Sequence, residues 1–361
     1  MIFGVPKEIS LSDKIPEFRV GLSPMGVKEL MLYNSEVYVE TKAGKGAGFS
    51  DLDYEKAGAT IVYSKEEVYR RADIVLKVRR PQKEEFSYIK EGEIVMGFMH
   101  LITASKEFIQ VVKDKKITLI GYELIRKADG KLPLVSPMSE IAGKLSVQLA
   151  GRELESPKSG RGILLSGIPG IPPAEVVILG AGTLGSVSAR AFAEIGANVY
   201  VLDIKRDKLV KLASKSHRMK ITTMFATRHN LEKLTKFADV IIGAVLVPGK
   251  KTPILITKKM IKSMKKGSVI IDFDVDQGGS IETAKITPSG KFVYSVDDVY
   301  HFCMPNATTL VARTATHAIT SSVFPYLRII LEVGFEDALK KNLDLKNGIC
   351  AEKGSIRKEL L

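Results

Sequence analysis

The sequence predicts an α/β protein of two domains, each a mostly parallel sheet wrapped by helices, with a cleft between them. Three observations carry that expectation. Short apolar runs alternate with helical signals in two successive series. A Gly- and Pro-rich stretch from Gly160 to Pro173 separates the series. A glycine-rich turn, Gly180-Ala181-Gly182-Thr183-Leu184-Gly185, opens the second series directly after the run Val176-Val177-Ile178-Leu179.

In the first series, Ile2 to Val5 is a short β-like run. Ser23-Pro24 opens a helix through Tyr33, with proline at the first helical position. Glu36 to Glu40 (EVYVE) alternates as a strand, and Ala59 to Tyr63 is another. Lys65 to Arg71 reads as a helix and Asp73 to Val78 as a buried strand. Ile94 to Met99 and Ile117 to Tyr122 continue the rhythm. Residues 139–153 form a long helical signal. The second series then runs VVILG, VYVLD, ITTMF, ADVIIGAV and SVIIDFD with helices between, and FVYSV follows. A last helical signal covers about 308–333, with no new strand expected after it.

The simplest chain path returns that C-terminal helix to the first domain. The expected division is therefore a discontinuous substrate domain, residues 1–136 plus 311–361, with a dinucleotide domain, 137–310, inserted. The two long helical signals would bridge the cleft, and closure about a hinge is expected.

Composition narrows the function. The chain has 361 residues with 45% hydrophobic and 26% charged residues, enough for two ordinary cores. No stretch approaches the length of a membrane span, and the start lacks the apolar run of a secretory leader. Two cysteines, Cys303 and Cys350, make neither a disulfide framework nor a four-thiolate metal site, so a cytoplasmic location is expected. The net charge of +13 invites a nucleic-acid role. The basic residues are spread along the chain without basic–aromatic interleaving, which argues against one.

The glycine turn belongs to a complete unit. Gly180 allows the tight turn, Gly182 lets a pyrophosphate approach the backbone, and Gly185 lets the helix pack on the strand. The helix N-terminus offers free N–H groups to phosphate. A second strand ends in Asp203, 18 residues after Gly185, where a carboxylate accepts from a ribose 2′-hydroxyl and repels a 2′-phosphate. This pattern predicts a Rossmann-like domain that binds NAD in preference to NADP. Lys205 and Arg206, just behind, oppose that preference.

Three aspartates at alternate positions, Asp272, Asp274 and Asp276, share one face if the strand continues through them. A calcium loop is excluded by Gln277 and Thr283 at its sixth and twelfth positions. An acid at this strand end can serve in proton transfer. In the first domain, Lys77 sits inside an apolar strand, which calls for an anionic partner or for a side chain that snorkels to water. His100 ends another apolar segment and is open to a structural or a proton-transfer role. Arg19 lies in Glu17-Phe18-Arg19-Val20.

Together these segments resemble the alanine dehydrogenase family, related to the nucleotide-binding subunit of nicotinamide nucleotide transhydrogenase. The resemblance covers nearly the whole chain. It rests on EFRV at 17–20, LKV at 76–78, MHL at 99–101, PMSEIAG at 137–143, the glycine turn, GAVLVPG at 243–249 and VDQGG at 275–279. It implies reversible oxidative deamination of L-alanine to pyruvate and ammonia with NAD. By the family pattern, Arg19 and Lys77 hold the substrate carboxylate, and His100 and Asp276 are the acid/base pair. Ser139, Asp203, Lys208, Val245 and Leu246 contact the cofactor, and Asn306 opens a segment near the nicotinamide. Similar enzymes assemble as hexamers or dimers, so a homo-oligomer is expected.

The sequence departs from the family at three places. The family's K-V-K-E-P-like run is Lys77-Val78-Arg79-Arg80-Pro81 here. Asp274 replaces a small apolar residue, and the N-M-P-x-x-V-P-[RK] segment appears as Asn306-Ala307-Thr308-Thr309-Leu310-Val311-Ala312-Arg313. Three further readings therefore stand beside the first. One uses the same scaffold for another amino acid or for an N-carboxyalkyl amino acid. The others are an NAD(H)-binding subunit that passes hydride to a membrane partner, and a silent NAD-binding regulator.

Overall fold

The computed structural model describes residues 1–10, 16–158, 160–216, 218–245, 251–286 and 292–360, and of Asp276 the backbone alone. The chain divides into two compact units, Met1–Met138 with Thr309–Leu361, and Ser139–Thr308. The boundaries fall at 138/139 and 308/309 rather than at 136/137 and 310/311.

The N-terminal segment contributes β1 (Ile2–Val5), β2 (Glu36–Glu40), β3 (Thr60–Val62), β4 (Ile74–Arg79), β5 (Ile94–Phe98) and β6 (Thr118–Gly121). The second unit contributes β7 (Glu175–Leu179), β8 (Asn198–Asp203), β9 (Ile221–Phe225), β10 (Val240–Gly243), β11 (Val269–Asp272), β12 (Val293–Val296) and β13 (Val299–Phe302). After the C-terminal helix Ala312–Val333 come β14 (Ile349–Glu352) and β15 (Ser355–Ile356), which pair in the first sheet.

The first sheet has the order β15-β14-β6-β5-β4-β1-β2-β3 and the second β12-β13-β11-β10-β7-β8-β9. In each unit six parallel strands follow the doubly wound order 3-2-1-4-5-6, with the chain direction reversing at the first strand. The central strands β6, β10 and β11 are buried along their whole length, which is why their sequences are unbroken apolar runs rather than alternating ones. Edge-proximal β2 alternates exposed and buried positions, as EVYVE requires.

Two strand expectations need correction. A strand pair, β14 and β15, does follow the last long helix, with β14 antiparallel to β6. In the second unit FVYSV forms only the outer arm of a hairpin, and β13, absent from the sequence reading, is the inner, parallel strand. Both hairpins turn on two residues of positive φ: Asp297 (52°) with Asp298 (61°), and Lys353 (47°) with Gly354 (83°). Such turns suit the twist of antiparallel pairs but carry only one glycine between them here, so the usual hairpin signal is weak.

Thr309, Thr316 and Thr320 accept hydrogen bonds from the backbone N–H groups of Phe18 (2.8 Å), Val20 (3.2 Å) and Ser23 (2.9 Å). The irregular segment from Glu17 to Ser23 therefore has its buried N–H groups satisfied by side chains some 290 residues further on. Among the described residues no single helix is long and apolar enough to cross a membrane.

Candidate active site

In the second unit the site is made mostly of backbone. β7 ends at Leu179, and Gly180 turns the chain with φ +100°. A Cβ on Gly180 would lie 2.3 Å from the Ala244 carbonyl oxygen, and one on Gly185 would lie 1.8 Å from the carbonyl oxygen of Gly180. Both positions are closed to any larger residue. Gly182 is the opposite case: it caps the helix Thr183–Glu194, and a Cβ there would meet nothing within 4 Å. The first-turn N–H groups of that helix lack intrahelical acceptors and carry the positive end of its dipole. An open space bordered by such donors fits a pyrophosphate.

Asp203 ends β8 and is buried. Its carboxylate accepts from the N–H of Ala181 (2.8 Å) and of Lys205 (2.8 Å), with Lys208 Nζ at 3.7 Å. It thus ties the glycine turn to the neighbouring strand. A carboxylate has about four acceptor positions, so two remain for ribose hydroxyls. Val245 stands against Gly180, 3.4 Å from the position of a Cβ there, and donates its N–H to Asp274. Ser139 lies one helical turn before Gly143, which packs on the Leu184 carbonyl in the first turn after the glycines. Asn306 follows β13 with φ +53°, a conformation that asparagine tolerates. Leu246 lies outside the described residues. The residues present fit an NAD molecule.

The three aspartates do not share a strand face. β11 ends at Asp272, whose carboxylate accepts from the N–H of Asp274 (3.0 Å) and of Ser280 (3.0 Å) and so closes a turn. Asp276 sits in the following 3₁₀ turn, Val275–Gln277, and its side chain lies outside the described atoms.

In the first unit the corresponding strand ends carry charge. β4 pairs with β5 through Leu76–Met96 and Arg79–Phe98, so two residues, Lys77 and Val78, oppose the single Gly97. β4 is an interior parallel strand buried continuously from Ile74 to Val78, so Lys77 is buried together with its neighbours. Lys77 Nζ lies 2.8 Å from Glu85 and 3.4 Å from Glu8. Its anions are internal, and at 1% exposure the snorkelling reading is excluded. Burial alone would lower the Lys77 pKa, but the two carboxylates raise it. Burial pushes the Glu8 carboxyl up against the pull of Lys77. Arg19 forms a two-pronged bond with Glu17, Nε–Oε1 2.7 Å and Nη2–Oε2 2.6 Å. Burial would raise the Glu17 pKa, but Arg19 overrides it and the carboxyl stays ionised. Glu8, Glu85 and Tyr122, whose buried hydroxyl lacks a hydrogen-bond partner among the described residues, were not legible as site residues.

Arg79, on the same strand as Lys77, has no hydrogen bond or ion pair among the described residues, and burial lowers its pKa. His100 follows the end of β5 with φ 42° and ψ 54°. Its ring stacks on Phe98 (6.0 Å between centroids), which stands edge-on to Tyr122 (5.4 Å). The imidazole is exposed, and its ring nitrogens have no partner among the described residues. His301 is the contrast: fully buried, with Nδ1 3.0 Å from the Val299 carbonyl and Nε2 2.6 Å from Thr283 Oγ1, it is structural. Thus Arg19, Lys77 and His100 lie in one unit, and the glycines, Ser139, Asp203, Lys208, Val245, Asn306 and Asp276 in the other.

Fold and site define a two-unit α/β protein with a dinucleotide cradle on one doubly wound sheet and a buried charge cluster on the other. The N-terminal domain description of the alanine dehydrogenase/PNT family matches residues 4–142 and the C-terminal one residues 146–359. An alanine dehydrogenase of Methanococcus maripaludis is 41% identical, covering 99% of this chain and 95% of the relative. One of Mycobacterium tuberculosis is 38% identical over the same shares. A solved L-alanine dehydrogenase superposes with a TM-score of 0.92 at 38% identity, covering 99% of this chain and 96% of that one. A transhydrogenase from Sinorhizobium meliloti superposes at 0.85 with 24% identity, covering 99% and 100%, a likeness of fold alone. The chain belongs to the alanine dehydrogenase/PNT family.

Proposed function

We propose that this chain is an NAD-dependent alanine dehydrogenase that interconverts L-alanine with pyruvate and ammonia. The observation that carries the reading is His100, an exposed imidazole whose ring nitrogens have no partner among the described residues, at a strand end of a chain that matches alanine dehydrogenases along almost its whole length. NAD, when bound, supplies the hydride acceptor. The first unit is the substrate domain and the second the dinucleotide domain.

In this reading the glycine turn and the helix after it hold the pyrophosphate, and Asp203 holds the adenosine ribose. Ser139, Lys208, Val245, Leu246 and Asn306 complete the cofactor contacts. Arg19 and Lys77 receive the substrate carboxylate. Glu17, Glu8 and Glu85 keep both cations charged and fixed, so the clamp is rigid before substrate arrives. His100 and Asp276 move protons: one takes them from the amine and the attacking water, and returns one to nitrogen as the carbinolamine collapses. Both free cysteines are buried, which suits a reducing cytoplasm. A homo-oligomer, hexamer or dimer, is the expected assembly, and sedimentation of the full chain measures it.

The deciding experiment is steady-state NAD reduction with L-alanine against a panel of L-amino acids, with pyruvate and ammonia in reverse. L-alanine should give the highest kcat/KM, and His100→Ala and Asp276→Ala should each lower kcat on the order of 10²-fold. No turnover of any amino acid would leave NAD binding alone. Arg79 favours a second reading, an amino acid with a further carboxylate, because a guanidinium that makes no ion pair among the described residues suits a second anion. Preference for an acidic amino acid in the same panel would select it.

A further inference from the structure

We propose that Arg80 is a positioning residue that, with Glu123, locks the backbone of His100 in its working orientation; this rests on the proton-transfer reading of His100. The peptide groups on either side of the imidazole are held by opposite charges. On one side the Glu123 carboxylate accepts from the N–H of Met99 (3.1 Å) and of His100 (2.6 Å). On the other, Arg80 Nη1 donates to the carbonyls of Met99 (3.1 Å) and His100 (2.9 Å) and to Thr103 Oγ1 (3.2 Å). Its Nη2 donates to the Thr103 carbonyl (2.7 Å).

Arg80 is itself tied to the sheet, its N–H bonded to the Phe98 carbonyl at 3.1 Å. It therefore carries the order of β4 and β5 into the loop that bears His100. That loop needs it. A non-glycine residue at φ 42° holds a strained conformation that persists only where its surroundings impose it. Packing does not impose it on the Arg80 side. There, a surface cavity of about 380 Å³ lies against Arg80, Thr103, Ala104 and Ser105. The planar fork of a guanidinium reaches these four acceptors at once, which an ammonium on a flexible stem cannot do. The residue that departs from the family's K-V-K-E-P-like run thus has a definite task in this chain.

The test is a double-mutant cycle in the full-length enzyme with L-alanine and NAD. Arg80→Ala should lower kcat on the order of tenfold or more through misplacement of the imidazole, with KM for NAD unchanged. Arg80→Lys should recover only part of the loss, and added guanidinium should raise kcat of Arg80→Ala but not of His100→Ala. In the His100→Ala background, Arg80→Ala should cost less than about twofold more, because a residue that acts through His100 has nothing left to position. Should Arg80→Ala not fold, the same cycle is run with Arg80→Lys. Wild-type kcat in the Arg80 variants, or losses that multiply with that of His100→Ala, would overturn the proposal while leaving His100 in its role. Wild-type kcat in His100→Ala would overturn the role itself, and the proposal with it.

Discussion

The two units carry the same strand order and use it for different chemistry. At the point where the order reverses, the second unit exposes backbone: a glycine with empty space where its Cβ would be, a helix N-terminus and one buried carboxylate that organises the turn. The first unit, at the matching strand ends, presents side chains: Lys77 between two glutamates, Arg19 on Glu17, and an imidazole on a strained loop. A dinucleotide phosphate is recognised by N–H groups that nothing must neutralise. The cations of the first unit are buried away from water and kept charged by their carboxylate partners. One topology therefore tolerates both an almost side-chain-free site and a densely charged one, and the residues on and after its strands decide which.

The largest expected effect breaks the charged half. Lys77→Met leaves Glu8 and Glu85 buried without their cation and should cost roughly 3–5 kcal/mol of stability, read from chemical denaturation. Loss of activity with unchanged stability would mean that the cluster is built for substrate alone. The glycine half should break differently at two positions one turn apart. Gly185→Ala collides with the Gly180 carbonyl and should destabilise by about 1–3 kcal/mol, as overpacking does. Gly182→Ala meets no protein atom at its Cβ, so stability should fall by no more than about 1 kcal/mol, the cost of a poorer helix cap, while KM for NAD rises on the order of tenfold. Equal melting losses in the two variants would remove the distinction drawn here between a packing glycine and a ligand glycine.

A smaller effect sharpens the cofactor half. Asp203→Ala should narrow the preference for NAD over NADP, and because Asp203 also binds the Ala181 and Lys205 N–H groups, it should raise KM for both. Wild type that uses NADP equally well would hand the selectivity to Lys205 or Arg206.

The smallest effect is a pH dependence away from both sites. Burial pushes the Glu93 carboxyl up to about 8, and its ion-pair contact among the described residues is Lys90 at 3.8 Å. A carboxyl whose folded pKa exceeds its ordinary value near 4.5 holds its proton in the folded chain while the unfolded chain has lost it. Stability from this group is therefore present below pH 4.5 and lost as pH rises toward 8. Glu93→Gln should stabilise by about 1–3 kcal/mol at pH 8 and by much less at pH 5. A stability difference independent of pH would show that Glu93 is ionised throughout.

The parts of this protein that its sequence determines by itself are those written in a single short stretch. A buried parallel strand must be an unbroken apolar run, because both faces are covered, so β6, β10 and β11 can be read directly. The glycine turn is legible because its glycines belong to one strand–turn–helix unit: Gly180 and Gly185 face carbonyl oxygens, and Gly182 borders open space at the helix start. The three aspartates show where local period misleads, since a strand that stops at Asp272 no longer alternates. Tertiary structure alone decided the rest. Lys77 became the middle of a buried ion cluster because β4 is buried along its length and the fold sets Glu8 and Glu85 against it. The segment that carries Arg19 has no regular structure of its own, and threonines near the opposite end of the chain satisfy it. The strands β13, β14 and β15 are marginal as sequence because they are runs of two to four residues in hairpins at the sheet margins, and their pairing follows from the neighbour they meet. Long-range hydrogen bonds and buried charge pairs depend on which residues the fold brings within about 3 Å, and no local spacing encodes that distance.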